Sequence, residues 1–278
     1  MLKIFALSLS LLCACVNLSF STHNVLTEQE PVKYKETTIA TYNAFPEAGI
    51  TATQTNQVIN YVSRSVSTKT LAIRFPTYTY APKAGACACV AGGNVLGFYD
   101  RYDEDLIPNH SSGTVIGNTY LYSIQDSAVM EVIDQLYVYM GTDSTGTTES
   151  GFIQGLTDYC SERYKTVTLN SCMSSGSFSY TLAKKYLEEN RPIVLFLSGY
   201  NVASISEDTN KDTFNYLEST ANHVMIGFGY KQYTYTLSNG TQTLSFLSVA
   251  SGIVDRSSGL FNINYQTKIN DALAINIG

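Results

Sequence analysis

Gly85-Ala-Cys87-Ala-Cys89-Val-Ala-Gly-Gly-Asn-Val-Leu-Gly-Phe-Tyr-Asp-Arg-Tyr102 is the stretch on which the reading of the fold turns. It reads as a loop that delivers a cysteine to the first turn of a helix. From Ala91 onward Val95, Phe98, Tyr99 and Tyr102 recur at helical spacing and form one apolar face. Gly93 and Gly97 stand four apart on a shared face. Each costs a helix interior about 1 kcal/mol against alanine, so the pair predicts close approach of another backbone. At the helix start Cys87 meets unpaired N–H groups and the positive end of the helix dipole, which favour the thiolate. A small buried apolar cysteine is the plainer alternative, and this stretch alone is compatible with both.

Toward the N-terminus, Lys3, the apolar run Ile4 to Val16 and the small residues of Ser19-Phe-Ser21 read as a signal peptide over residues 1–21. The expected setting is therefore secreted or cell envelope. Leu12-Cys-Ala-Cys15 loosely resembles a lipobox, which makes a lipid anchor at Cys15 the lesser alternative. No later segment reaches the ~20 apolar residues of a bilayer span, so no stable membrane insertion is expected. Residues 22–75 read as an N-terminal extension or short propeptide, with a turn at Ala44 to Gly49 and an amphipathic piece at Val58 to Val62. Thr70 to Phe75 alternates and predicts a strand that stops at Pro76.

Toward the C-terminus, Val129, Val132, Ile133, Leu136 and Met140 mark a second helix capped near Asp126. Phe152, Leu156, Tyr159 and Cys160 mark a third, and Leu182, Ala183, Tyr186 and Leu187 a fourth that must stop before Pro192. Ile193 to Leu197 is an uninterrupted apolar run, as in a strand buried on both faces. With the leader set aside, Cys87, Cys89, Cys160 and Cys172 remain, too few for a disulfide framework, although Cys160 and Cys172 could pair. Three histidines, His23, His110 and His223, give no zinc spacing with them. Asp103-Glu-Asp105 reads as a solvated turn, so neither a metal nor an organic cofactor is expected. The net charge of −6, without a basic cluster, argues against a nucleic-acid partner.

A second chemical centre lies at Ala221-Asn-His223-Val-Met-Ile-Gly-Phe-Gly-Tyr230, where a histidine opens an apolar strand. Its unperturbed pKa suits a general base for a nearby thiol. Asn239-Gly240 between two alternating segments predicts a hairpin with those two residues as its turn. An unbroken register from that turn sets Val224 opposite Asp255, which brings the Asp255 carboxylate near the imidazole as its orienter. A surface-turn role for Asp255 is the plain alternative.

Cys87-Ala-Cys-Val-Ala-Gly-Gly-Asn-Val-Leu-Gly-Phe-Tyr-Asp100 resembles the nucleophile segment of papain-fold cysteine peptidases, within them the C39-like group of secreted bacterial enzymes. Gly146-Thr-Thr148, Tyr186-Leu-Glu-Glu-Asn-Arg-Pro-Ile-Val194 and His223 to Tyr230 are similar to that family in the same order. The resemblance implies an α+β, papain-like peptidase domain over residues 76–278, in which a helix bearing Cys87 packs on an antiparallel sheet bearing His223. It implies hydrolysis of a peptide or protein substrate by the Cys87 thiolate with His223 as base. Cys89 and Val90 replace the family's Pro-Thr, and Ala81 stands where a glutamine would donate to the oxyanion, leaving the Cys87 N–H and a donor such as Tyr80. The family position of the orienter falls on Ser251, the rival of Asp255. Two other functions remain open: a catalytically silent binding module, and an acyl-transfer enzyme such as a transglutaminase or amidase.

Overall fold

A computed structural model of the chain describes residues 42–45, 50–72, 74–103, 105–111, 113–116, 119–264 and 268–278. All of them belong to the unit spanning residues 34–278, and the expected leader with Cys15 lies outside the described residues. The chain first forms β1 (Tyr42–Phe45), β2 (Ile50–Asn60) and β3 (Ser63–Thr70), then α1 (Cys87–Tyr99). A small hairpin, β4 (Thr114–Ile116) and β5 (Thr119–Leu121), precedes α2 (Ser127–Tyr139) and α3 (Glu149–Ser161). Next come β6 (Val167–Ser171), β7 (Met173–Ser174), β8 (Ser177–Phe178) and α4 (Tyr180–Glu188). The remainder is β9 (Ile193–Asp208), β10 (Lys211–Leu237), β11 (Gly240–Ile253), β12 (Arg256–Asn262) and β13 (Lys268–Ile277).

Nine of these strands form one antiparallel sheet threaded by β10. The first part of β10, Lys211–Glu218, lies between β2 and β9, and a later part, Gly229–Thr236, lies between β3 and β11. Tyr61 and Val62 link β2 to β3, and their N–H groups bond Asn210 O at 3.0 Å and Thr236 O at 2.8 Å. That one turn therefore gathers both ends of β10, and the sheet curls on itself. Two irregularities, between Ser219 and Asn222 and between Gly227 and Gly229, reset which face of β10 points inward. Phe214, Tyr216, Tyr233 and Tyr235 accordingly fill an aromatic core inside the curl, while Leu217, Met225 and Ile226 face the helices.

The helices make the second layer. α2 begins on the Asp126 cap, whose carboxylate accepts from the Ala128 and Val129 N–H groups, and it buries Val129, Val132, Ile133 and Leu136. α3 and α4 are capped by Thr148 and Ser179 and bury the apolar faces read from their spacing. α1 is enclosed on all sides, with every residue from Ala88 to Tyr99 buried. A Cβ on Gly93 would lie 2.6 Å from Ile133 and one on Gly97 2.7 Å from Tyr78. Side chains of two different neighbours, not one backbone, fill the space those glycines leave. Asn94 ties Tyr78 alongside α1, accepting its N–H at 2.7 Å and donating to its carbonyl at 3.1 Å.

The expectation of an α+β, papain-like fold is overturned. Strands take 48% of the described residues and helices 22%, which makes the protein mostly β. The excess comes from segments whose polar faces hide their strand character. β2 and β3, in the region read as an extension, are rungs of the main sheet, and β9 continues eleven residues beyond Leu197 into Ser, Asn and acidic residues. Of the strand expected at 70–75, Thr70 is the last paired residue of β3, and residues 71, 72, 74 and 75 lie outside any strand.

Candidate active site

The site forms where the sheet opens. β10 pairs with β11 only from Ile226 onward, opposite Ala250, so Asn222 to Met225 have β9 on one flank and no strand on the other. Two things occupy the gap. The start of α1 packs there, with Val90 against Gly252, whose φ of +71° turns the end of β11 aside. The His223 ring spans the rest, with Nε2 donating to the Ser251 carbonyl at 2.7 Å. The irregularity just ahead of Asn222, opposite Gly199 (φ +87°), aims His223 into this gap.

Cys87 is the first helical residue of α1, and Ala86, at the cap, offers no side-chain acceptor. The backbone N–H groups of Val224, Ala88 and Cys87 itself are directed at the sulfur and favour the thiolate, but burial outweighs them and pushes the thiol up. The residue is half-buried and lines a cavity of about 490 Å³ that it shares with His223. His223 is buried, and burial lowers its pKa to about 4 against the opposing pull of the Ser251 carbonyl. At rest the pair is therefore a neutral thiol and a neutral imidazole. Because Nε2 carries the proton bonded to Ser251, Nδ1 is the basic nitrogen of the ring. Tyr200, on β9, packs its ring 5.0 Å from that of His223.

The loop Ser144 to Thr147 and Glu149 also line the cavity. Gly85 is held against this loop so closely that a Cβ would lie 2.2 Å from Asp143 O, and its φ is +79°. Cys89 anchors the same loop from inside. Its sulfur lies 3.3 Å from Thr142 Oγ1, which bonds Thr147 Oγ1 at 2.6 Å, and burial pushes the thiol up to about 11. Burial first and the neighbouring Asp271 second push the Glu149 carboxyl up to about 7. Asn270, also lining the cavity, is tied to Ser198 on β9.

The structure thus brings Cys87 and His223 to one cavity and keeps Asp255 away from it. The hairpin turn falls on Ser238-Asn239, with Leu237 opposite Gly240, one residue earlier than read from Asn239-Gly240. Asp255 becomes an exposed residue of the turn between β11 and β12. Ser251 does meet His223, but through its backbone carbonyl. Its hydroxyl donates to Arg256 O and accepts from the Ile253 N–H at 3.1 Å. Tyr80 gives its hydroxyl to Asp134 on α2 and does not line the cavity. His110 is engaged elsewhere, by Asp100 at 2.6 Å and Tyr78 at 3.0 Å. Cys160 and Cys172 are free, buried thiols, each pushed up to about 12 by burial.

Glu149, Asn270 and the Ser251 carbonyl are the site groups that sequence reasoning missed. The first stood beside the quoted Gly146-Thr-Thr148 segment, while a carbonyl carries no residue-type signal. Among the described residues no group of three or more His, Cys, Asp or Glu is placed to hold a metal, and no helix is long and apolar enough to cross a membrane. Comparison of the chain with protein-family models, curated proteins and solved structures finds no match.

Proposed function

We propose that the protein is a thiol hydrolase acting on peptide bonds, a cysteine peptidase. The observation that carries this reading is the single cavity shared by Cys87 and His223, with the Ser251 carbonyl holding the imidazole in the Nε2–H tautomer. In the reaction Nδ1 takes the thiol proton as sulfur attacks the substrate carbonyl carbon. The developing oxyanion is met by N–H groups of the first turn of α1. The imidazolium then returns the proton to the leaving amine. A water, deprotonated by the same nitrogen, releases the acyl group and restores the thiol. The ordered likeness of residues 87–100, 186–194 and 223–230 to C39-like secreted peptidases supports the same reaction class. The apolar run at residues 4–16 supports export, and the absence of a basic cluster supports a peptide over a nucleic-acid partner.

Digestion of a broad peptide library between about pH 5 and pH 8, around the unperturbed imidazole value, tests the proposal. Wild type should cleave, and Cys87→Ala should not while keeping its circular dichroism. Identical blank profiles would overturn it. One observation favours a second reading, a silent peptide-binding module: the resting pair is neutral rather than a thiolate–imidazolium pair. Binding of uncleaved library peptides to both forms would identify that module.

A further inference from the structure

The cavity that Cys87 and His223 share is lined by an acidic side chain. Of the residues lining the cavity, Glu149 is the one with a carboxylate, and none is Lys or Arg. Beside it stands a second acidic residue, Asp271, whose Oδ1 accepts from the Ala272 N–H at 2.7 Å. Among the residues whose side chains the structure describes, no Lys or Arg forms an ion pair with either group, whereas Arg64, Lys165, Lys185 and Arg191 all have acidic partners elsewhere. Two neighbouring carboxyl groups raise each other's proton affinity and still carry net negative charge, which an entering cation would stabilise.

The cavity is a candidate site because of Cys87 and His223, independently of these carboxylates. The carboxylates decide what charge it receives. Glu149 stands in the first turn of α3 and Asp271 at the irregularity of β13 between Ile269 and Asp271, so both are presented from rigid elements. The facing loop contributes only hydroxyl, glycine and backbone groups, Ser144 to Thr147, which solvate a cation without competing for it. We infer that the cavity selects substrates that carry an ammonium or guanidinium group, a lysine or arginine side chain or a free amine, with Glu149 and Asp271 as the counter-charge. This rests on the thiol-hydrolase reading of the same cavity.

The test is the rate at which Cys87 reacts with three methanethiosulfonates: trimethylammonium-ethyl, sulfonato-ethyl and uncharged methyl. Each forms a mixed disulfide with the Cys87 sulfur and expels methanesulfinate, so no turnover is required. Peptide mapping fixes the site. In wild type the cationic reagent should outpace the anionic one by about tenfold, with the ratio falling in high salt. Glu149→Gln should bring the ratio close to one, and Asp271→Asn should lower it without the same loss. Equal rates in wild type, or a ratio that Glu149→Gln leaves intact, would overturn the charge selectivity while leaving the nucleophile in place. A Cys87 inert to all three reagents would remove the nucleophile and this selectivity together. With peptide substrates, N-terminal acetylation separates a free amine from a side chain as the group recognised.

Discussion

The same strand, β10, builds two very different interiors. Inside the curl it has a strand on each flank, and each charged group buried there has a counter-charge. Arg64 bonds both oxygens of the fully buried Asp212 at 2.6 Å, Tyr235 adds a third bond at 2.7 Å, and Phe214 stacks on Phe246 at 5.2 Å. The Asp212 hydrogen bond holds the Arg64 guanidinium in its charged form. At Asn222 to Met225 one flank is missing, and titratable groups of the adjoining cavity are driven toward neutrality: the Cys87 thiol up, the His223 imidazole down, the Glu149 carboxyl up. Where the ladder is complete, charges are matched. Where it opens, titratable groups are shifted toward their neutral forms, and such shifts cluster at functional sites.

That contrast can be broken from the curl first. Asp212→Ala leaves Arg64 and the Tyr235 hydroxyl without their central acceptor and should cost about 3–5 kcal/mol in urea unfolding. Under folding conditions the alkylation rate of Cys87 should not change. A loss of both together would mean that the two interiors are one cooperative unit.

The next effect comes from pH. Folded His223 titrates at about 4, against ~6.5 in an unfolded chain, so between those values only the unfolded chain gains the proton. The contribution of His223 is therefore complete above about pH 6.5 and is lost as pH falls to 4, a drop of about 3 kcal/mol. Unfolding free energies measured across that window in wild type and His223→Asn should differ in slope. Parallel curves would show that the imidazole is not held neutral.

The smallest effects separate the two orienter candidates. Ser251→Ala keeps the carbonyl that holds His223 but loses the hydroxyl bonds to Arg256 O and Ile253 N–H, for about 1 kcal/mol of stability and little activity. Asp255→Asn, in an exposed turn, should stay within about 0.5 kcal/mol of wild type. A large activity loss from Asp255→Asn would return the carboxylate to the site.

The helical half of the molecule was legible because its signals are local. Asp126 caps α2 where an apolar period begins, and α4 ends before Pro192, at Glu188 with Asn190 left-handed. Cys87 at a helix start was legible for the same reason, whereas His223, read as opening a strand, lies inside β10. The curl was not. β2 reads Ile-Thr-Ala-Thr-Gln-Thr-Asn-Gln, polar on its open face, and only pairing with a strand more than 150 residues away makes it a strand. The third group of the site was misread because the turn lies one residue earlier and the β10–β11 ladder stops at Ile226–Ala250, before it reaches Asp255. Asn239-Gly240 has the composition of a two-residue turn, yet Gly240 is already paired with Leu237. From that point the count placed a carboxylate where the structure uses a carbonyl.

The central claim, that Cys87 and His223 act as one catalytic pair, is tested most directly by trapping the acyl-enzyme. The protein is mixed with an activated acyl ester, quenched in acid over a time course and mapped by mass spectrometry. The account predicts an acyl group on Cys87 that wild type sheds and that accumulates in His223→Ala, where no base activates water. An adduct on another residue, or equal lifetimes of the Cys87 adduct in wild type and His223→Ala, would contradict it.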